Sequence, residues 1–300
     1  MFKKFIVKKD FHNSRFDRWF KHNIHQVPQS FIEKLIRKKK IKVNNKKIKT
    51  SYRLQFNDTV ELYGVNNLKS NIKIKTSKYK PSNKEKSRYI KFIIENNDNF
   101  IVINKPAGIP VQGGTKSFKN ILDILKNTKY FEHTKPYIVH RLDKETSGIM
   151  ILAKNREYAQ LFTSLFRIRK IHKTYLAITH GEVRKDINII KDNLTIYEND
   201  KKKIQKAISY LKILKSNNKF SFLELKPVTG RKHQLRKQLY NIGNPIVGDD
   251  KYYLSKVKSY PKKKNLMLHS YKIKFMINNI KYNFEANYGD EFSNFIKNIF

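Results

Sequence analysis

From residue 90 to the C-terminus, short apolar or alternating runs recur without regular helical partners between them, and this pattern limits the fold more than any other. FIVIN (100–104), IMILA (149–153), TYLAIT (174–179), FSFLEL (220–225), KIKFMI (272–277) and KYNFEA (281–286) have the length and composition of strands, several of them alternating. Helical periodicity is visible at 156–167, where Tyr158, Phe162, Leu165 and Phe166 share a face, and again after Lys232. Strands that outnumber helices without alternating with them argue against a doubly wound fold. They imply an α+β domain on a mostly antiparallel sheet.

Ahead of this region lies a smaller unit. Arg15, Phe16, Arg18, Trp19 and Phe20 fit one helix, and Phe31, Ile32, Leu35 and Ile36 form the apolar stripe of a second, with Ser30 as its expected cap. IKVNNKKIK then alternates into a turn at Asn44-Asn45, where asparagine can supply positive φ. Residues 64–89 are polar and lysine-rich and read as a basic linker. The expected organisation is therefore a unit at 1–63, a linker at 64–89 and a larger domain at 90–300.

Charge says what such a chain meets. With 65 Lys+Arg against 24 Asp+Glu the formal charge is +41, which implies a polyanionic partner, nucleic acid foremost. Part of that excess accompanies a general richness in Lys, Asn, Ile, Phe and Tyr and belongs to compositional drift. No cysteine is present, so disulfides and thiolate metal sites are excluded. No apolar run approaches the roughly 20 residues of a membrane span, and the basic start lacks a secretory apolar stretch, so a cytoplasmic protein is expected.

Residues 140–148 read HRLDKETSG, placing Asp143 between Arg141 and Lys144 on a loop that leads into the apolar run Ile149–Ala153. Flanking cations favour the charged carboxylate. Taken alone, such an aspartate is most simply a surface ion pair. KTYLAITHG at 173–181, LKPVTGRKHQLRKQL at 225–239 and NKPAGIPV at 104–111 change that reading. Together the four motifs resemble the RluA/RluC/RluD-type family of RNA pseudouridine synthases. Asp143 matches the family's catalytic aspartate, Lys173 and Tyr175 its Lys-x-Tyr segment, and Thr229 to Arg236 its TGRxHQ(I/L)R segment. The 14–63 unit resembles the S4 RNA-binding domain, with Lys39 and Asn45 where two glycines are usual.

The resemblance implies a pseudouridine synthase fold, a mixed curved sheet with flanking helices, preceded by an S4-like module. It implies a cofactor-free, metal-free isomerase acting on 23S ribosomal RNA during large-subunit assembly, most like the RluC branch, working as a monomer without an obligatory protein partner. Asp143, Tyr175 and Arg236 become the catalytic set: Asp143 attacks C1′ or stabilises charge there, Tyr175 stacks on the uracil, and Arg236 pairs with Asp143. Arg231 is the competitor for that pairing and is expected on phosphate. Arg141 is expected to enter the space left by a flipped base, since a base held in a stem cannot reach the carboxylate. Lys173, Arg15, Arg18 and Arg37 are expected on RNA, and His140 and His233 in support of their loops. Lys232 and Gln238 depart from the residues usual at their positions. Two alternatives remain: an inactive RNA-binding or ribosome-assembly factor of the same fold, and a synthase acting on transfer RNA.

Overall fold

The computed structural model describes residues 2–25, 27–64, 79–113, 119–132, 134–198, 201–254 and 265–300, and divides into two units, Met1–Thr76 and Ser77–Phe300. Most of the expected linker, 65–78, lies outside the described residues. Its end is not extended. Asn83–Ile90 is helical, started by Ser82, whose side chain accepts from the Glu85 N–H while Glu85 bonds back in a capping box.

In the first unit the chain order is β1 (Phe2–Ile6), β2 (Ser14–Arg15), α1 (Phe16–Asn23), α2 (Gln29–Arg37), β3 (Ile41–Val43), β4 (Arg53–Leu54) and β5 (Thr59–Tyr63). β5 lies between β1 and β3, antiparallel to both. Phe16, Trp19 and Phe20 of α1 and Ile32, Leu35 and Ile36 of α2 are buried with Ile41, Val60 and Leu62 in one core, as their helical spacing requires. The cap of α2 is Pro28 and not Ser30, so the helix starts one residue before the serine. Lys39, Asn44 and Asn45 adopt φ of 55°, 49° and 62°, so the chain makes left-handed turns at both positions where glycine is absent.

The second unit continues with α3 (Asn83–Ile90), β6 (Ile93–Asn96), β7 (Phe100–Lys105), α4 (Ile121–Lys126), β8 (Tyr137–Ile138), β9 (Ser147–Ala153), α5 (Arg156–Arg167) and β10 (His172–His180). Then come β11 (Ile189–Glu198), β12 (Lys201–Ser216), β13 (Phe220–Pro227), α6 (Gln234–Asn241), β14 (Leu268–Ile277), β15 (Ile280–Glu285) and α7 (Asp290–Ile299). One sheet runs β11-β12-β13-β10-β14-β9-β7-β6, with β15 added on β14 and β8 on β9. Its pairings are antiparallel except β14 with β9. Three apolar clusters cover it. β7 and β9 send Ile101, Ile103, Met150 and Leu152 to the core that holds α4, and Phe100, Val102, Ile149 and Ile151 to the core that holds Phe162 of α5. α6 and α7 cover the β10–β13 end through Leu235, Leu239, Phe292 and Phe295.

The parallel contact holds the site in place. His269 pairs with Ser147 and Ser270 with Gly148. Gly148 sits at φ 107°, and a Cβ there would lie 2.3 Å from the Ser270 carbonyl oxygen, so only glycine lets the two backbones approach. His269 Nε2 donates to the Ala286 carbonyl at 2.9 Å, which leaves its Nδ1 to accept from the Ser147 hydroxyl at 2.9 Å.

Candidate active site

Asp143 lies in the loop just before β9, one wall of a cleft of about 700 Å³. The opposite wall is the turn from Val228 into α6, and the end of α5 with Lys173 and Tyr175 of β10 completes it. The four motifs converge here for separate local reasons. His140, half-buried behind the loop, accepts the Ile151 N–H through Nε2 at 2.9 Å and stacks on Phe166 with centroids 4.7 Å apart. Burial, with Lys173 nearby, pushes its pKa down to about 3, so it is a neutral strut.

The NKPAG motif contributes from beneath. Lys105 is fully buried, and its Nζ donates to the carbonyls of Pro106 (2.8 Å), Ile109 (3.0 Å) and Lys144 (3.1 Å). Three acceptors match the three hydrogens of an ammonium, tying the 106–109 turn to the residue after Asp143. Burial lowers its pKa to about 7 against the pull of Glu145 and Asp143. The Gly108 N–H adds a second tie, to the Lys144 carbonyl at 3.0 Å. Sequence reasoning missed Lys105, because nothing marks one lysine as buried in so basic a chain.

The TGRKHQ turn is pinned by Gln234. Its oxygen accepts from the Thr229 hydroxyl (2.7 Å) and the Arg231 N–H (3.0 Å), and its amide donates to Ser209 Oγ (2.9 Å) and the Ile208 carbonyl (3.2 Å). Gln238, where histidine is usual, is fully buried: it accepts from the Ser209 hydroxyl at 2.7 Å and donates to the Ile190 and Ala207 carbonyls. The replacement thus anchors α6 to the base of the β11–β12 hairpin.

Arg236 corrects the expected pairing. Its guanidinium closes on Asp249, with Nε at 2.7 Å and Nη2 at 2.6 Å, and reaches Asp250 at 3.3 Å. Asp143 acts on it only as a more distant charge. The Nε2 of His233 lies 3.6 Å from Asp143 Oδ1. Asp249 was overlooked because the two acids of GDD look alike in sequence, yet the side chain of Asp249 is fully buried and that of Asp250 is 82% exposed.

The remaining expected residues fall as follows. Tyr175 lines the cleft, and burial with Asp143 nearby raises its phenol to about 12, so it remains protonated. Lys173 is half-buried at the cleft wall, with its pKa lowered by that burial. Arg141, exposed, and Arg231, whose Nε donates to the Lys206 carbonyl at 3.3 Å, line the same cleft. Arg167 and Arg169 add further cations that sequence reasoning did not single out, and Lys232, marked there only as a departure from the usual residue, adds another. In the N-terminal unit Arg15 is held on Asp17 by Nε (3.1 Å) and Nη2 (2.6 Å), whereas Arg18 and Arg37 are exposed. Among the described residues no cluster of His, Cys, Asp and Glu could hold a metal ion, and no helix is long and apolar enough to cross a membrane.

A carboxylate and a tyrosine lining a cleft rich in lysine and arginine, on a mostly antiparallel α+β sheet, fit an enzyme that works on a polyanion. Comparison with known proteins gives the family. The RNA pseudouridylate synthase model matches residues 99–241, and the S4 domain model matches 26–60. Ribosomal large subunit pseudouridine synthase C of Rickettsia felis is 35% identical over 264 residues, covering 83% of this chain and 85% of that protein. Its counterpart in Buchnera aphidicola subsp. Schizaphis graminum is 29% identical over 283 residues, covering 90% and 88%. Among solved structures, Human RNA Pseudouridylate Synthase Domain Containing 4 superposes with a TM-score of 0.59 at 27% identity, covering 69% of this chain and 92% of that one. The chain belongs to the RNA pseudouridine synthase family, carries an S4 domain, and is an isomerase.

Proposed function

We propose that this enzyme converts uridine to pseudouridine in large-subunit (23S) ribosomal RNA, with Asp143 as the reacting carboxylate. The substrate class is supported by the relatives named above, ribosomal large subunit pseudouridine synthases that align over 83% and 90% of this chain. In the reaction the N1–C1′ bond breaks, the uracil turns within the cleft, and a C5–C1′ bond forms. The C5 proton departs and N1 gains one, so nothing is oxidised and no group is lost. Asp143 acts at C1′, either by covalent attack or by stabilising the positive charge that develops there. Tyr175 offers its ring as a stacking face, and its protonated phenol can hand on a proton late in the reaction.

Arg141 is exposed beside Asp143 and can fill the gap left by the flipped base. Lys173, Arg231, Arg167 and Arg169 supply cations along the cleft for the backbone. In the N-terminal module Arg18 and Arg37 are free to meet phosphate, while Arg15 is committed to Asp17. We assign residues 1–63 to RNA capture and 90–300 to chemistry, in a chain that acts alone in the cytoplasm.

The observation that carries this reading is Asp143 in a cleft whose other charged lining residues are all lysines and arginines. The test is Asp143→Asn, which keeps the loop's shape and removes the charge. Tritium release from 5-tritiated uridine in 23S RNA should vanish while RNA affinity stays near wild type. Activity within tenfold of wild type would overturn the assignment. Retention of all pseudouridines in 23S RNA from cells lacking the gene would overturn the substrate.

A further inference from the structure

His233 stands out in the second unit. It is half-buried, it faces Asp143, and its backbone is left-handed, with φ 53° and ψ 32° at the N-cap of α6. A non-glycine residue there costs about 1–2 kcal/mol, strain that persists only where surrounding structure enforces it. The enforcing structure is a chain of contacts from the buried Arg236–Asp249 pair. Besides holding Arg236, Asp249 Oδ1 accepts the N–H groups of Lys251 and Tyr252, each at 2.9 Å, and so shapes the turn that presents Tyr252. Tyr252 lies under the Arg236 guanidinium, 5.3 Å from ring centroid to carbon, and meets the His233 ring edge-on. Its hydroxyl is 3.1 Å from His233 Nδ1.

This contact and the acceptor-only carboxylate beyond Nε2 together select a tautomer. The Tyr252 phenol is raised above its ordinary value by burial, so it holds a proton to donate. A phenol donating to Nδ1 leaves the imidazole proton on Nε2, the nitrogen that faces Asp143 at 3.6 Å. At that distance the hydrogen bond is not yet made, and a small movement of either side chain closes it. The charged groups around the ring are Asp143 from the loop before β9, Arg236 on α6, Lys232 beside it in sequence, and Lys251 in the turn with Tyr252. Burial and the three cations together outweigh Asp143 and favour the neutral ring.

We infer that His233 is a positioning residue that works as a neutral imidazole: Tyr252 holds its Nδ1, and its Nε2–H orients the Asp143 carboxylate toward the target nucleoside. The inference rests on Asp143 being the reacting group. A neutral donor orients the carboxylate without cancelling the charge that must act at C1′. Protonating the ring would convert it into a cation competing with C1′ for Asp143, and would break the acceptance of the Tyr252 hydrogen.

The test uses the full chain and single-turnover kinetics at saturating 23S RNA between pH 5 and 8. His233→Ala should lower the rate at least tenfold at pH 7.5 with RNA affinity within threefold of wild type. Tyr252→Phe, which keeps the imidazole and removes its holder, should lose a smaller part of the rate. His233→Gln places an amide N–H near the Nε2 position and cannot titrate. It should recover most of the loss and lack the acid decline that wild type shows as His233 takes up a proton. An undiminished rate in His233→Ala, or an unchanged acid decline in His233→Gln, overturns the inference. Independently of catalysis, nitrogen-15 spectra of histidine-labelled protein should show His233 protonated at Nε2 and bare at Nδ1 at pH 7.5. The opposite tautomer overturns the inference too. Failure of wild type to modify 23S RNA would sink the proposed substrate, while the spectra would still decide the histidine.

Discussion

Two neighbouring acids, Asp249 and Asp250, should behave in opposite ways when removed. The Asp249 carboxylate has no exposure and accepts from Arg236 twice and from two backbone N–H groups. Asp249→Ala leaves a guanidinium whose side chain is only 5% exposed without its close partner. Breaking one side of a buried pair costs about 3–5 kcal/mol. Asp250, with a side chain 82% exposed and one contact at 3.3 Å, cannot take over, and Asp250→Ala should cost less than about 1 kcal/mol. With a urea slope of about 2–3 kcal/mol per molar, Asp249→Ala should lower the unfolding midpoint by about 1–2.5 M, whereas Asp250→Ala should move it by no more than about 0.5 M. The midpoint should be followed by circular dichroism, because the chain's single tryptophan, Trp19, reports the N-terminal unit. Arg236→Met combined with Asp249→Leu should recover much of the loss, since an apolar pair replaces a buried charge pair at little cost. Equal effects of the two alanine variants would refute the reasoning, and so would a cost below about 1 kcal/mol for Asp249→Ala.

Gly148→Ala should abolish soluble expression of the folded catalytic unit, because its Cβ would meet Ser270 backbone atoms at 2.3–2.7 Å. Gly108→Ala, at φ 81° with no atom within 4 Å, should cost only about 1 kcal/mol by thermal melting. His140 is neutral when folded, with a pKa near 3, but takes up a proton below 6.5 when unfolded. Its contribution is therefore complete above pH 6.5 and falls by about 1.4 kcal/mol per pH unit on the way to 3, so the difference in urea midpoint between pH 7.5 and 5.0 should shrink in His140→Gln. RNA binding should weaken by about three powers of ten between low and moderate salt if about six phosphates are neutralised. A flat response would mean that the +41 charge takes no part in recognition.

The sequence made the Asp143 loop legible because Asp143, Tyr175 and Arg236 sit in motifs whose order is itself a signal. Strands with alternating or wholly apolar runs, such as β7, β9, β10 and β13, were legible for the same reason: burial leaves a periodic trace. The long β11–β12 hairpin was not, because lysine, asparagine and aspartate interrupt its apolar positions until it reads as loop. α7 escaped as well, its start at Asp290 following directly on a strand and a short turn. The partner of Arg236 could not be read at all. Which carboxylate a guanidinium meets depends on how a turn 13 residues away folds back, and that is settled by burial of Asp249 and not by any spacing.

The strand pairing beside Gly148 also sets an order of events during synthesis. The loop bearing Asp143 is braced by Ser270, His269 and, through His269, Ala286, partners more than 120 residues later in the chain. A nascent chain that has only just emitted its motifs therefore owns Asp143 without the backbone that holds it in place. Long-range contacts of this kind form late. Such a polypeptide already carries its S4 domain while the Asp143 loop is unbraced, and that loop is held only once the final hairpin has emerged.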